Sequence, residues 1–278
     1  MSKVGLVLSG GGARGFAHIG TIKILDELKV KPSCVSGCSM GAVIGALYCL
    51  GYSGKDIEEK IKTLTLKNIL SISFTKNSKK DKMENYLDII FENKNFEDLQ
   101  IPLYVNAVDI KTGKEVIFNK GNLSKAVRAS IAIPGIFKPV LINERILIDG
   151  GVKNNIPIKI LLENEKIDKI ISVNAGQNKS PGSILESVHE NNKIKSPNII
   201  NILMKTLLIM QSNEYMLNFS KKHSNIFIVP DLIGYSIIDF KKYEEIINKG
   251  ELAARKHKKN IEKLFKNKIW NVFSKNNY

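Results

Sequence analysis

The feature that most constrains the fold is a unit that occurs twice near the start of the chain. In each copy a short apolar run leads through a glycine-containing turn into a stretch whose apolar residues have helical spacing. The first copy covers residues 4–28 and the second covers residues 34–51. Strands that alternate with helices pair side by side in a mainly parallel sheet. We therefore expect an α/β fold, with a mainly parallel sheet flanked by helices on both faces in three layers.

The rest of the chain continues this alternation. Residues 53–93 have the pattern of two charged amphipathic helices, and Lys111-Thr112-Gly113-Lys114 marks the turn of a β-hairpin. Further predicted elements are helices over residues 123–130 and 199–210 and strands over residues 145–148, 170–174 and 226–229. At 278 residues the chain is long enough to bury a large core among them.

The net charge of +15 comes almost entirely from lysine. The chain has four arginines, at positions 14, 128, 145 and 255. Sites that read nucleic-acid bases or clamp phosphates favour the planar arginine fork, so this charge does not indicate a nucleic-acid partner. The densest part is residues 241–278, with eleven basic and four acidic residues. It is either a solvated basic helix or a surface in peripheral contact with an anionic membrane.

Membrane, disulfide and metal signatures are missing from the sequence. The longest clean apolar run, residues 42–50, is too short for a membrane span of about 20 residues, and the run before Gly10 is too short for a secretory signal. We therefore expect a cytoplasmic protein, with peripheral contact at the inner membrane face as the alternative. Cys34, Cys38 and Cys49 lack disulfide or zinc spacing and are expected in the core. No acidic calcium loop occurs, so we expect neither a metal nor another cofactor, and the oligomeric state is left open.

The first glycine turn matches a nucleotide-binding loop only in part. Residues 10–15 fit the pattern G-x-G-x-x-G between a strand and a helix. A dinucleotide site also needs an acidic residue at the end of the second strand, but Asp26 and Glu27 fall inside the predicted first helix. No Gly-Lys-Ser/Thr follows the glycines, which excludes a P-loop. A nucleotide-binding module is therefore disfavoured.

The second glycine turn is typical of a catalytic nucleophile. Gly37, Ser39 and Gly41 form the pattern G-x-S-x-G between a predicted strand and a predicted helix. A serine on so sharp a turn needs glycines beside it, because larger side chains would collide with the neighbouring strand and helix. The positive end of the following helix points its free N–H groups at the reacting centre, where an oxyanion develops. Ser39 is therefore a candidate nucleophile, although a turn of small residues gives the same pattern.

A serine nucleophile needs a base, and the histidines are poorly placed for that role. The four histidines are His18, His189, His223 and His257. Of these, His223 stays as a weak alternative. Asp149 is better placed, because it ends a predicted strand at the third glycine turn and could face Ser39 across the C-terminal edge of the sheet. It either caps that turn or acts as the base, which requires desolvation, because a free carboxyl group with a pKa of about 3.9 is a poor base.

Five sequence blocks resemble the patatin-like phospholipase family and, within it, the small stand-alone bacterial esterases. In chain order they are SGGGARGFAHIG, GCSMGAVIGALY, VDIKTGKEVIF, RASIAIPGIFKPV and DGGVKNNIPI. The resemblance implies that Ser39 is the nucleophile and Asp149 the general base of a dyad without histidine. It implies an oxyanion hole formed by Gly10, Gly11 and Gly12, with Arg14 nearby. The elbow and turn glycines that belong to the same pattern are Gly15, Gly37, Gly41, Gly150 and Gly151.

The activity implied by this resemblance is that of a lipid acyl hydrolase, of phospholipase A or lysophospholipase type, which works through an acyl-enzyme on a lipid or acyl-ester substrate. Residues 5–165 would form the catalytic core, and residues 166–278 would complete the same domain, with residues 241–278 as a basic helical tail. Residues 53–95 match the family least, and whether they act as a lid is open. The alternatives are a general carboxylesterase or thioesterase with the same dyad, and a non-catalytic membrane-binding regulator.

Overall fold

A mixed eight-stranded sheet forms the centre of the computed structural model, which describes residues 2–66, 82–176 and 214–266 and positions 202, 206, 209 and 210. The strands are β1 (Val4–Leu8), β2 (Cys34–Gly37), β3 (Leu103–Asp109), β4 (Glu115–Phe118), β5 (Val140–Ile142), β6 (Arg145–Asp149), β7 (Lys169–Val173) and β8 (Ile226–Ile228). Their spatial order is β5-β6-β3-β2-β1-β7-β8, with β4 also paired to β3. Strands β3, β2, β1, β7 and β8 run parallel, whereas β4 and β6 are antiparallel to β3 and β5 is antiparallel to β6. The predicted mainly parallel sheet is confirmed, with an antiparallel side that begins at β6.

Nine α-helices are formed by the described part of the chain. They are α1 (Ala17–Glu27), α2 (Met40–Cys49), α3 (Gly54–Leu66), α4 (Lys82–Ile90), α5 (Leu123–Ser130), α6 (Ile158–Asn164), α7 (Glu214–His223), α8 (Tyr243–Lys256) and α9 (Lys258–Phe265). The helix expected over residues 199–210 lies largely outside the described residues, as does His189. Strand β5 has no counterpart among the sequence predictions, because it is three residues long and directly follows Pro139.

Helices cover both faces of the sheet. All five residues of β1 are buried, and their side chains point alternately to the two faces. Leu6 and Leu8 pack into a core that includes residues of α1 and α2, whereas Val7 packs into a second core with Ile158 and Leu161 of α6. The continuous apolar run of β1 therefore reflects a strand that is buried from both sides, as expected in a parallel sheet.

Close packing of α1 against α8 fixes the helix that follows the first glycine turn. A Cβ atom added at Gly20 would collide with the backbone of Ile247 and Glu251, and one added at Gly250 would collide with the carbonyl of Ala17. Glycine at both contacts lets the two backbones approach closely. The start of α1, and with it the preceding turn, is thereby held in place.

None of the described helices combines the length and apolar character that a membrane crossing requires. Within the described ranges there is also no group of three or more His, Cys, Asp or Glu side chains arranged to hold a metal ion. Cys34, Cys38 and Cys49 are free and buried, which confirms their predicted place in the core.

Candidate active site

Ser39 occupies the sharp turn between β2 and α2, with φ 52° and ψ −122°. L-residues rarely adopt this left-handed region, so the surrounding structure must hold the backbone there. A Cβ atom added at Gly41 would collide with the carbonyl oxygens of Leu8 and Ser9, and one added at Gly37 would collide with the backbone of Gly41. Both elbow glycines are therefore required by contacts, and the serine between them is 4% exposed.

Asp149 faces Ser39, but it does so from an antiparallel strand. Strand β6 enters the sheet from the C-terminal edge of β3 and ends at Asp149, opposite Ala107. On the other side of β3, Gly37 at the end of β2 is opposite Val105. The ends of β2 and β6 therefore meet at nearly the same level of β3, which brings the elbow and the third glycine turn together.

The carboxylate of Asp149 is bound at both oxygen atoms. Oδ2 accepts a hydrogen bond of 2.7 Å from the Ser39 hydroxyl, and Oδ1 accepts one of 2.7 Å from the backbone N–H of Gly151. Burial raises the pKa of Asp149 to about 6, because desolvation disfavours the charged form; the two hydrogen bonds pull the pKa down and offset part of this rise. Asp149 therefore caps its turn and contacts the serine at the same time, so the two roles considered for it do not exclude each other.

The end of α5 contacts both of these residues. The hydroxyl oxygen of Ser130 accepts a hydrogen bond of 2.9 Å from the backbone N–H of Ser39. Two residues later, the carbonyl of Ala132 accepts one of 3.0 Å from the N–H of Asp149. Ser130 lies in the block RASIAIPGIFKPV, and nothing local to that block shows that it reaches the elbow.

The first glycine turn lies against the elbow. A Cβ atom added at Gly10 would come within 3.3 Å of the Cβ of Ser39 and would collide with Oδ1 of Asn155; one added at Gly15 would collide with the side chain of Met40. The N–H of Gly10 already donates to the carbonyl of Asn155 at 3.1 Å. This contact does not favour Gly10 as an oxyanion donor.

Gly11 and Gly12 differ from Gly10 in this respect. In the described residues neither N–H makes a hydrogen bond within the protein. Gly12 has φ 55°, and an added Cβ atom would collide with the carbonyl oxygen of Ile237. That same carbonyl accepts a hydrogen bond of 2.8 Å from the N–H of Ala13, which fixes the turn from outside.

Arg14 follows this turn and is 3% exposed. Its Nε and Nη2 atoms have no hydrogen-bond partner among the described residues. Burial lowers the pKa of the guanidinium to about 10, because no carboxylate compensates for desolvation. A buried and incompletely paired cation beside the glycine turn favours the presence of an anion in this part of the molecule.

The third glycine turn rests on a buried polar network that sequence reasoning did not identify. Asn106 donates hydrogen bonds to Glu115 (2.8 Å) and to the carbonyl of Asn154 (2.9 Å), and the side chain of Asn154 donates to Glu115 at 3.0 Å. Gly150 packs directly on Asn106, where an added Cβ atom would collide. These contacts hold the segment that follows Asp149.

The three described histidines do not contact Ser39. His18 is fully buried, its Nε2–H donates to the carbonyl of Ser9 at 2.7 Å, and burial lowers its pKa to about 4. His223 donates to the carbonyl of Phe219 at 2.8 Å, and His257 lies between α8 and α9. Among the described side chains, Asp149 is thus the titratable partner of the serine.

The chain is similar in sequence to known proteins. Residues 6–162 match the family model described as patatin-like phospholipase. The chain is 27% identical over 266 residues to "Lysophospholipase NTE1" of Kluyveromyces lactis. The aligned region covers 89% of this chain and 18% of that protein. It is 38% identical over 161 residues to an uncharacterized NTE family protein of Mycobacterium tuberculosis strain H37Rv, covering 56% of this chain and 44% of that protein. The chain thus spans less than half the length of these relatives.

A likeness in fold extends to a solved structure. The crystal structure of VipD from Legionella pneumophila superposes with a TM-score of 0.55 at 15% sequence identity, covering 94% of this chain and 67% of that one. At so low an identity the similarity concerns the fold alone, and it extends over nearly the whole chain.

Proposed function

Because the chain belongs to the patatin-like phospholipase family, we propose that it hydrolyses acyl ester bonds of phospholipids or lysophospholipids through a dyad of Ser39 and Asp149. The observation that carries this proposal is the 2.7 Å hydrogen bond from the Ser39 hydroxyl to Oδ2 of Asp149. A carboxylate in direct contact with the hydroxyl proton, with a pKa raised to about 6, is a competent general base near neutral pH.

The first half of the reaction forms an acyl-enzyme. Asp149 takes the proton of Ser39 while Oγ attacks the acyl carbonyl carbon. The N–H groups of Gly11 and Gly12 and the cationic Arg14 stabilise the oxyanion of the tetrahedral intermediate, aided by the positive end of α2. When the intermediate collapses, the bond to the alcohol oxygen breaks, and protonated Asp149 returns the proton to that leaving oxygen.

The second half hydrolyses the acyl-enzyme. Asp149, ionised again, removes a proton from a water molecule that attacks the same carbonyl carbon. The second tetrahedral intermediate expels Oγ of Ser39, which recovers its proton from Asp149, and the fatty acid is released. One aspartate therefore serves as base and acid in both halves, as microscopic reversibility requires.

We also propose that the lysine-rich C-terminal part contacts an anionic lipid surface. Residues 241–266 carry nine basic and four acidic residues, and the side chains of Lys256 and Lys259 are exposed. Some of the positive charge is neutralised within the protein, since Arg255 and Lys258 pair with Glu27 at 3.0 and 2.5 Å. The remaining cations support attraction to anionic headgroups.

The test of the catalytic proposal is covalent labelling followed by turnover. Wild type and Ser39→Ala are exposed to a fluorophosphonate and their intact masses are measured. One adduct on wild type alone, with release of fatty acid from phosphatidylcholine or lysophosphatidylcholine, is the expected result. An adduct with hydrolysis of short soluble esters or thioesters alone would identify a general esterase instead. Folded wild type that takes no adduct would favour the non-catalytic regulator.

A further inference from the structure

A short segment at the end of α5 binds both members of the dyad through contacts that the reaction does not use. Ser130 accepts from the N–H of Ser39 at 2.9 Å, and Ala132 accepts from the N–H of Asp149 at 3.0 Å. We propose that Ser130 is a positioning residue, whose oxygen holds the strained backbone of Ser39 so that the hydroxyl stays aligned with Asp149. This inference rests on the proposed function.

The backbone of Ser39 needs an external partner. Its φ of 52° is unfavourable for a residue with a side chain, and such a conformation persists only where surrounding contacts favour it over relaxed alternatives. Ser39 precedes the first turn of α2, so its N–H lies outside the hydrogen bonds of that helix. Its partner is the hydroxyl oxygen of Ser130.

Because this hydrogen bond is buried, it favours the one backbone conformation of Ser39 in which the N–H is paired. Ser130 is 0% exposed and Ser39 is 4% exposed, so bulk water has poor access to the N–H if the bond is lost. A buried N–H without a partner is unfavourable, and the conformation that satisfies it is correspondingly favoured. The Ser130 oxygen therefore selects the backbone conformation that directs the Ser39 hydroxyl at the carboxylate.

The position of Ser130 is itself coupled to Asp149. Backbone hydrogen bonds from Ile131 to Val127 (3.0 Å) and from Ala132 to Ala129 (3.2 Å) fix the end of α5. The carbonyl of Ala132, two residues after Ser130, holds the N–H of Asp149. Residues 39 and 149 are far apart in the chain, but both are hydrogen-bonded to the same helix end, which sets their relative placement.

The experiment compares Ser130→Ala with Ser124→Ala. Ser124 lies on the same helix, is also 0% exposed, and its hydroxyl has no hydrogen-bond partner among the described residues. The two variants thus lose the same buried hydroxyl from the same helix, but only position 130 touches the elbow. Each is measured for kcat and KM on a soluble short-chain ester, for the rate of fluorophosphonate labelling, for the pH midpoint of kcat/KM and for thermal unfolding.

We expect Ser130→Ala to lower kcat and the labelling rate about 10- to 100-fold, since a small misplacement of reacting groups has effects of this size. KM should stay within about twofold, and the pH midpoint should stay that of wild type, because Asp149 keeps its own contacts. Ser124→Ala should behave as wild type. Ser130→Cys keeps a hydrogen-bonding atom at the same position, but sulfur is a weaker acceptor, so this variant should also be slow, which covers the case that Ser130→Ala does not fold.

Two results would overturn the inference. Folded Ser130→Ala or Ser130→Cys with wild-type kcat would show that the contact is not needed. A shifted pH midpoint, or an equal loss of activity in Ser124→Ala, would indicate a general disturbance of the site instead of a positioning role. Failure of the proposed function is separate, since wild type itself would then neither label nor turn over.

Discussion

The Oδ2 atom of Asp149 lies 2.7 Å from the hydroxyl oxygen of Ser39, and both side chains are almost fully buried. A carboxylate in this position is removed from water, which is why its pKa is raised to about 6. The same desolvation makes it a stronger base than an exposed aspartate, because its pKa is closer to those of the serine hydroxyl and the water molecule from which it takes a proton. The contact therefore links a catalytic property to a measurable dependence on pH.

Activity should rise with pH and level off above the pKa of Asp149. Below about pH 6 the carboxyl group is protonated and cannot accept the proton of Ser39, so kcat/KM should fall roughly tenfold for each further pH unit. The measurement is kcat/KM on a soluble ester from pH 4.5 to 8. Asp149→Asn should be folded and inactive at every pH. Retained activity in this variant would favour His223 as the base.

Asp149→Asn should also be more stable than wild type at high pH. The folded-state pKa of Asp149 is raised from 3.8 to about 6, so ionisation is less favourable in the folded protein, and wild type loses stability as pH rises through this window. The asparagine variant avoids that loss. Its advantage near pH 8 should reach up to about 3 kcal/mol, the free-energy equivalent of this pKa change, less whatever its altered hydrogen bonds cost.

Urea unfolding of the two proteins at pH 4 and pH 8 provides the check. Near pH 4 the carboxyl group is largely protonated in the folded protein, and the difference between the proteins should shrink toward zero. An advantage that was the same at both pH values would mean that the charge of Asp149 is not its source.

The local parts of the site could be predicted from the sequence, and its long-range parts could not. The strain at Ser39 follows from glycines two positions away, and Asp149 is marked by the adjacent Gly150, so short motifs suffice for both. That β6 is antiparallel depends on how the chain returns to β3, which no local pattern encodes. The five family blocks indicate which residues belong to one site, but not which of them are in contact.

Contacts between the blocks depend on the tertiary fold. Ser130 looks like any small residue at a helix end, and its role depends on a partner 91 positions away. Gly10 belongs to the glycine loop by pattern, yet its N–H is engaged by Asn155, which lies 145 positions further along. Pairings at such separations are set by the tertiary fold, whereas turn chemistry is set by neighbouring residues.

Gly12→Ala should abolish most activity, whereas Gly113→Ala should not. Both glycines have positive φ, 55° and 65°, so the backbone strain from alanine should be similar, about 1 kcal/mol. At Gly12 the new Cβ atom would also collide with Ile237 and displace the turn, whereas nothing lies within 4 Å at Gly113. Loss of a donor from an oxyanion hole lowers kcat by about 100- to 1000-fold.

The comparison is made by kcat on a soluble ester together with thermal unfolding. The collision with Ile237 should make the loss of stability larger in Gly12→Ala than in Gly113→Ala. A Gly12→Ala variant that is folded at the assay temperature but inactive, beside an active Gly113→Ala variant, would support the role of this turn in oxyanion stabilisation. Full activity in a folded Gly12→Ala variant would contradict it.

Binding to anionic vesicles should weaken as salt is added, if the lysine-rich helices contact the lipid surface. Each lysine near such a surface contributes about 1 kcal/mol at low ionic strength, and the attraction is screened over about 10 Å at 0.1 M salt. Replacing Lys256 and Lys259 by glutamate should therefore reduce binding to phosphatidylserine vesicles by tenfold or more. The control replaces Lys125 of α5 and Lys159 of α6, both exposed, and changes the net charge by the same amount. Equal losses in the two double variants would attribute binding to net charge. Binding that is as strong to neutral vesicles as to anionic ones, and that does not change with salt, would argue against an electrostatic contact.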